Sequence, residues 1–321
     1  MIENLISRAM MPGGFNFTQI SISPYKELLA YEYLWAKPKS SLKNIAKQLS
    51  KKNILPSEIV AKEGNTLFTD AATQTDEIKT YIDQKIRTGP YFSVLLKESP
   101  QYPEKLLDAK HPIDLFYYRG NPDIINKKTI SIVGTRKISS EGIKRTQQLV
   151  RKLAQYDVAV VSGLARGTDT VALAAAIGYG LPVIGVIGTP IDRYYPKENR
   201  DLQERIATEY LLMSQVPFYK YEKQAFSSKK IYFVERDATM AAISDATIIV
   251  EASDASGTLF QARACIEQGR KLFILNSCFE NPHIKWPAEY EKKGALRVRF
   301  IQDILDNIGG AINFGKKMDA V

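Results

Sequence analysis

Residues 130–187 decide the fold, and they read ISIVGTRKISSEGIKRTQQLVRKLAQYDVAVVSGLARGTDTVALAAAIGYGLPVIGVI. Three mostly apolar runs, at 130–133, 158–161 and 183–187, have the composition and length of strands that are buried on both faces. Helical segments fill the two intervals, one to about residue 154 and one from about 169 to 177. Alternating strands and helices form βαβ units, so this stretch predicts a parallel sheet.

The same alternation continues on both sides of the stretch. Further strands are predicted at 91–96, 114–118, 211–213, 247–250 and 272–275. Further helices are predicted at 201–208, 236–243, 258–268 and 299–308. The pattern therefore predicts an α/β fold, with a mostly parallel sheet and helices on both of its faces.

The segment that precedes the sheet predicts a small helical domain over residues 1–89. Ser23-Pro24 is a good start for a helix that runs towards Trp35. Apolar residues then recur at helical spacing, at positions 42, 45, 46 and 49 and again at 78, 82 and 86. A helix-turn-helix is compatible with these short helices, although no pattern singles it out. We expect the sheet domain over 90–300 and a C-terminal helix and tail over 301–321.

Composition narrows the classes of function. The net charge of +9 favours polyanionic partners such as nucleic acid. Without an apolar run of roughly 18 residues or a secretory signal, we expect a cytoplasmic protein that has no membrane partner. Cys265 and Cys278 are expected to be reduced thiols, and His111 and His283 stand alone. We therefore expect no metal and no cofactor.

In a parallel sheet, ligands bind beyond the carboxyl ends of the strands, so the residues after each strand are informative. Gly134-Thr135-Arg136 follows the first strand, where the glycine allows a phosphate to approach and the arginine offers a bidentate contact. A tight turn with a solvated arginine is an equal alternative. Ser256-Gly257-Thr258 opens a later helix, whose N-terminal amides favour an anion.

The loop after the second strand contains Ser162, Gly163, Arg166 and Gly167, and it is a plausible anion cradle. It matches neither a P-loop nor the dinucleotide fingerprint, because both need other glycine or lysine spacings. Asp169 at its end is expected to cap the following helix.

Aromatic residues accompany basic ones in two further connections. Tyr194 and Tyr195 follow the third strand, and packing on the core is the favoured interpretation for them. A longer connection interleaves Lys220, Lys223, Lys229, Lys230 and Arg236 with Tyr219, Tyr221, Tyr232 and Phe233. Cations that follow phosphates and rings that stack on bases suit a single-stranded nucleic acid, whereas a solvated loop is the alternative.

Several of these stretches together resemble the DNA-processing protein DprA (Smf) family. The resemblance covers roughly residues 90–300 in order and spacing. It is carried by YPEKLLDAKHPIDLFYYRGN (102–121), IVGTRKISSEG (132–142), VVSGLARGTDTVALAAAIGYGLPVIGVIGTPIDRYYPKEN (160–199), FVERDATMAAIS (233–244) and IIVEASDASGTLFQARACIEQGRKLF (248–273).

The resemblance implies an extended Rossmann-like fold that dimerises, binds single-stranded DNA in a basic pocket and delivers it to a RecA-type recombinase. A role in DNA uptake and recombination would follow, without catalysis. The residues that would bind phosphate or line the pocket are Gly134, Thr135, Arg136, Ser162, Gly163, Arg166, Gly167, Lys229, Lys230, Phe233, Arg236, Ser256, Gly257 and Thr258. Among them, Phe233 would stack on a base.

The chain departs from the family pattern at several positions. Asp237-Ala238 follows Arg236 where the family usually has Asn-Arg, which removes a positive charge and adds a negative one. Thr168 and Leu173 replace residues of a usual Gly-Ile-Asp-x-x-Ala-His run, and Asn276-Ser277 replaces a usual Pro-Gly. The short segment after the sheet leads us to expect no winged-helix domain. An altered DNA affinity is therefore expected.

Two other classes of function remain open at this point. One is a regulatory or antitoxin-like component of a phage-defence system, which keeps the fold and acts through a protein partner. The other is a nucleotide-binding or nucleotide-hydrolysing enzyme of a related Rossmann-like group. Hydrolysis would need a glutamate after the glycine-rich turn, but Leu259, Phe260 and Gln261 follow Thr258, which disfavours an enzyme.

Overall fold

A computed structural model of the chain describes residues 22–52, 54–63, 74–110 and 112–308. The predictions that concern His111, the first part of the helical segment (1–21) and the C-terminal tail (309–321) lie outside these described residues. Within them, no helix combines the length and the apolar character that crossing a membrane requires.

One mixed sheet of nine strands organises the described part of the chain. The strands are β1 (Ser93–Leu96), β2 (Leu115–Gly120), β3 (Lys128–Val133), β4 (Val158–Ser162), β5 (Val183–Ile187), β6 (Leu211–Ser214), β7 (Ala246–Ile249), β8 (Lys271–Leu275) and β9 (Leu296–Val298). Their order across the sheet is β1-β2-β6-β5-β4-β3-β7-β8-β9. The pairs β1–β2 and β2–β6 are antiparallel and the other pairs are parallel.

Helices connect these strands and form the N-terminal segment. They are α1 (Pro24–Ala36), α2 (Leu42–Lys52), α3 (Pro56–Lys62), α4 (Gln74–Thr88), α5 (Glu104–Leu107), α6 (Ser140–Leu153), α7 (Thr168–Gly178), α8 (Arg200–Glu209), α9 (Phe218–Lys223), α10 (Lys230–Ile243), α11 (Thr258–Glu267), α12 (Asn276–Phe279), α13 (Trp286–Glu291) and α14 (Ile301–Leu305). Short 3-10 turns occur at Pro122–Asn126, Lys197–Asn199 and Phe226–Lys229.

The parallel strands are apolar because both of their faces are covered. Every residue of β4 and every residue of β5 is buried. The predicted α/β class, with a mostly parallel sheet, helices on both faces and an N-terminal helical segment, is therefore confirmed.

Most predicted helices and strands agree with the observed ones. The differences concern elements that are short or that mix polar and apolar residues. The sequence prediction missed β9, whose three residues include Arg297 and cannot form an apolar run. Leu55-Pro56 was interpreted as an interruption, but Pro56 occupies the first turn of α3, where proline needs no hydrogen-bond partner for its nitrogen. The predicted last helix, 299–308, is shorter and ends at Leu305.

The order of the strands creates one switch point. From β3 the chain adds β4, β5 and β6 on one side, and it then returns to pair β7 with the other side of β3. The loops after β3 and β7 therefore diverge from neighbouring strands. A crevice forms there at the carboxyl edge of the sheet, where open α/β sheets bind ligands.

The N-terminal helices pack on the sheet through a buried glutamate of α1. Glu32 has no exposed surface and accepts hydrogen bonds from the Tyr117 hydroxyl (2.5 Å), the Phe218 amide (2.8 Å) and the Tyr219 amide (3.0 Å). Burial raises the pKa of Glu32, and the three donors oppose that shift. This carboxylate connects α1 with β2 and α9, while the domain boundary at residue 89 stays a prediction.

We expect Glu32→Gln to lower the free energy of unfolding by about 1–3 kcal/mol, because an amide NH2 would then face a backbone donor. Urea unfolding followed by circular dichroism measures the change. Glu291→Gln is the matched control, since Glu291 is exposed at the end of α13. Equal unfolding free energies for Glu32→Gln and the unmodified protein would contradict the role assigned to Glu32.

Candidate nucleic-acid interface

The loops after β3 and β7 meet at the switch point and form one surface. The Thr135 amide donates to the Glu251 carbonyl (2.7 Å), and the Thr258 hydroxyl donates to the Gly134 carbonyl (2.9 Å). Glycine is required at position 134, because a Cβ there would lie 2.8 Å from the Glu251 carbonyl oxygen. The two loops therefore pack too closely for any larger residue between them.

A cavity of about 570 Å³ opens beside these loops and under α10. It is lined by Val133, Gly134, Thr135, Arg136, Ala165, Asp169, Tyr195, Tyr221, Phe226, Lys229, Lys230, Phe233, Val234, Arg236, Asp237, Met240, Ser253, Ser256, Gly257, Thr258, Phe260 and Gln261. We refer to this cavity as the switch-point pocket. Its volume falls within the range of small-molecule sites, which is about 300–1,000 Å³.

Aromatic rings form much of the wall of the switch-point pocket. Phe233 and Tyr195 contact each other at a centroid distance of 5.3 Å. Phe226 and Phe260 are large, exposed apolar side chains, with 78% and 45% of their surfaces accessible. Rings that stay accessible at the mouth of a cavity are suited to stacking on a planar ligand.

Cationic side chains lie at the rim of the pocket. Arg136 and Lys230 are exposed, and neither makes a hydrogen bond or an ion pair with another residue in the described parts of the chain. The Lys229 ammonium lies 4.3 Å from the centroid of the Tyr221 ring. The rim therefore presents positive charge that is available to an anionic ligand.

Arg236 is a buried cation and anchors the wall of the pocket. Its Nη1 donates to the Val186 carbonyl (3.2 Å), and its Nε lies 3.0 Å from Asp237 Oδ1. A Cβ at position 163 would overlap the guanidinium, so Gly163 makes room for it. Only 5% of Arg236 is exposed and its charge is engaged within the protein, while a phosphate contact by Arg236 stays a prediction.

The loop after β4 has a different arrangement from the predicted anion cradle. Asp169 does not cap α7, whose N-cap is Gly167; its Oδ2 instead accepts from the amides of Gly163 (3.1 Å) and Ala165 (3.4 Å). The capping interpretation of Asp169 was therefore wrong. Because a carboxylate already accepts from these two amides, they are not free to bind a phosphate.

The other predicted residues of that loop lie outside the lining of the pocket. Ser162 is fully buried and donates to the Ile132 carbonyl (2.7 Å). Arg166 is exposed and pairs with Glu198. Gly167 has a positive φ of 76° and packs against the backbone of Thr135 and Arg136. A direct ligand role for Ser162, Gly163, Arg166 and Gly167 stays a prediction.

The other ten predicted residues line the pocket together. They are Gly134, Thr135, Arg136, Lys229, Lys230, Phe233, Arg236, Ser256, Gly257 and Thr258. At the start of α11, the Ser256 hydroxyl accepts from the Thr258 amide (3.2 Å) and donates to the Thr258 hydroxyl (3.0 Å). This local turn holds Thr258 in contact with the loop after β3.

The lining residues that sequence reasoning did not assign to the pocket include Tyr195, Phe226, Phe260 and Asp237. Tyr195 was assigned to core packing, yet it is 46% exposed and contacts Phe233. Phe226 and Phe260 do not directly follow a strand, so the search of the residues after each strand did not identify them. Asp237 was noted only as a change of charge, and its spacing of four residues from Phe233 was the available signal.

The cysteines are buried free thiols, as expected, and burial raises the pKa of each to about 12. In the described segments, no group of three or more histidine, cysteine, aspartate or glutamate side chains is arranged to hold a metal ion. The titratable and aromatic side chains that line the pocket are arginines, lysines, aspartates, tyrosines and phenylalanines.

A Rossmann-like sheet with a cationic, aromatic pocket at its switch point defines a class of proteins that bind phosphate-bearing ligands. Residues 93–309 match the family described as DNA recombination-mediator protein A. The chain belongs to this family, and the predicted relationship is confirmed. It is 30% identical over 239 residues to the DNA processing protein DprA of Streptococcus pneumoniae, covering 74% of this chain and 80% of the relative.

Other members of the family are also similar to this chain in sequence and in structure. The Bacillus subtilis DprA is 28% identical over 232 residues, covering 72% of this chain and 74% of that protein. The X-ray structure of the S. pneumoniae DprA has a TM-score of 0.72 and 25% identity, covering 91% of this chain and all of the other.

A Helicobacter pylori DprA, described for its single-stranded DNA binding mode, has a TM-score of 0.56 and 26% identity over 67% of this chain and 94% of the other. The relatives are thus DNA-processing proteins that resemble this chain in sequence and in fold.

We expect the stability of the protein to depend on pH through Asp237. Burial raises the pKa of Asp237 from 3.8 to about 6, Asp169 adds to the shift, and Arg236 and Arg136 oppose it. A carboxyl with a raised pKa holds its proton more tightly when folded, so stability falls as pH rises from about 4 to about 6.

Over that interval the unmodified protein should lose about 2 kcal/mol relative to Asp237→Asn. Urea unfolding of both proteins at the two pH values measures the difference. Identical pH slopes for the two proteins would show that Asp237 titrates normally.

Proposed function

We propose that this chain binds single-stranded DNA in the switch-point pocket, without cutting it, as a mediator of DNA recombination. The proposal is supported by one observation above all, the unpaired cations Arg136 and Lys230 at the rim of an aromatic cavity. Rim cations would neutralise the phosphates of the strand, while a base inserts among the rings. The single-stranded DNA binding described for the H. pylori relative supports the same ligand.

The geometry of the pocket favours a single strand over a duplex. Stacking on Phe233 or Phe226 needs a base whose face is free, and the bases of a duplex are already stacked on each other. The pocket is also too small to admit a double helix, since its volume of about 570 Å³ suits a nucleotide. A ligand with free bases and a phosphate backbone therefore meets both requirements.

The carboxylates of the pocket support binding rather than hydrolysis. Asp169 accepts from two backbone amides, and Asp237 pairs with the buried Arg236. Asp169 is thereby engaged by backbone donors, and the cation beside Asp237 opposes its action as a general base. Incubation with deoxynucleoside monophosphates tests this part of the proposal, because release of free base would reveal an enzyme.

Two further parts of the proposal come from the family resemblance. The chain is proposed to form a homodimer and to deliver the bound strand to a RecA-type recombinase. Light scattering coupled to size-exclusion chromatography tests the dimer. The recombinase step is tested by whether the protein accelerates recombinase loading on a strand that is covered by a single-strand-binding protein.

Fluorescence anisotropy of a labelled oligo-dT and of its duplex counterpart, over a salt series, tests the binding itself. We expect preference for the single strand and a steep loss of affinity with rising salt, because bound cations release counterions from the phosphates. Absence of binding at about 50 mM salt would reject the proposal. A role through a protein partner would then take its place.

Arg136→Ala should weaken binding of every single-stranded sequence and reduce the salt slope by about one, as the loss of one phosphate contact does. Arg151→Ala is the matched control, because Arg151 is exposed in the last turn of α6, away from the carboxyl edge of the sheet. An unchanged slope in Arg136→Ala would remove Arg136 from the interface.

A further inference from the structure

The switch-point pocket contains the carboxylate of Asp237. Phosphate binding does not explain its presence, because a carboxylate repels phosphates. Asp237 lines the pocket among cations and aromatic rings, and 17% of its side chain is accessible. Its Oδ1 pairs with Arg236 Nε at 3.0 Å. Its Oδ2 has no hydrogen-bond donor among the described residues, and Oδ1 keeps a second acceptor site, so the carboxylate can accept from two donors of a ligand.

The position of Asp237 on α10 places this carboxylate beside the proposed stacking ring. Phe233 and Asp237 are four residues apart, so they lie on one face of the helix, about one turn from each other. Both line the pocket. Exposure falls along this face from Lys230, which is exposed, to Met240, which is 1% exposed. The carboxylate therefore lies deeper than Phe233, where the edge of a stacked base would point.

A carboxylate distinguishes bases by the donors on their edges. Ionised aspartate only accepts hydrogen bonds, so it favours an edge with adjacent N–H groups. Guanine presents N1–H and the N2 amine side by side on its Watson–Crick edge. Thymine presents one N–H between two carbonyl oxygens, and those oxygens would repel the carboxylate. A polar group that is left unpaired in a cavity costs affinity, which makes such discrimination effective.

We propose that Asp237 makes the switch-point pocket selective for guanine, whose N1–H and N2 amine donate to the carboxylate while the ring stacks on Phe233. This inference rests on the proposed single-strand binding and assigns a base preference to the same site. Arg136, Lys229 and Lys230 at the rim hold phosphates of any sequence, whereas Asp237 reads the inserted base.

Competition binding with short oligonucleotides tests the preference. The probes are oligo-dT strands of about five nucleotides in which the central base is guanine, adenine, cytosine or thymine. We expect the guanine strand to compete about tenfold better than the thymine strand, as a bidentate contact to a base edge should. Equal competition by all four strands, together with normal oligo-dT binding, would overturn the selectivity and leave the proposed function intact.

Base analogues test the contact on the unmodified protein. Inosine lacks the N2 amine and 2-aminopurine lacks N1–H, so each should lose part of the guanine advantage. Loss of all oligonucleotide binding would overturn the proposed function and the selectivity together. A guanine advantage that inosine and 2-aminopurine both retain in full would overturn the assigned contact.

Asp237→Asn tests the residue. We expect the guanine advantage to fall from about tenfold to about twofold, because an amide offers both a donor and an acceptor. Binding of oligo-dT should strengthen at the same time, since a negative charge leaves the pocket. Asp201→Asn removes the same charge from an exposed site on α8 and should keep the full guanine advantage. A full guanine advantage in a folded Asp237→Asn protein would overturn the proposal.

Discussion

The burial of the Arg236 guanidinium constrains the whole carboxyl edge of the sheet. A buried cation is costly unless it is paired, and here it contacts the Val186 carbonyl and Asp237, close to Asp169. The absence of a side chain at Gly163 provides the space for it. Because these contacts come from β5, α10 and the loop after β4, one charge fixes the relative positions of three elements.

This constraint divides the loops into two groups. The loop after β4 supports the pocket, because its amides donate to Asp169 and because Ser162, at the end of β4, donates to the β3 backbone. The loops after β3 and β7 contact each other through one amide and one hydroxyl group. Their pocket-facing surfaces therefore remain available to a ligand. A supporting loop behind two exposed loops preorganises the pocket, which lowers the entropic cost of binding a ligand.

The sequence predicted the fold well because continuous apolar runs identify strands that are buried on both faces. It located the strand ends, and ten of the predicted residues, Gly134 and Phe233 among them, lie together in one pocket. It did not distinguish free amides from engaged ones, because the contact between Asp169 and the Gly163 amide depends on how the loop folds back. The sequence prediction also began α10 at Arg236 instead of Lys230. Residues on both faces of this helix make contacts, so neither face forms a clear apolar stripe.

The two faces of α10 connect the pocket to the N-terminal helices. One face carries Phe233 and Asp237, while Glu235 on another face accepts from the Leu42 amide (3.0 Å) at the start of α2. Tyr232 lies 6.2 Å from Trp35 of α1 between ring centroids. A displacement of α10 would therefore disturb both contacts at once. The N-terminal helices thus support the pocket through packing, because they contact the helix that carries Phe233 and Asp237.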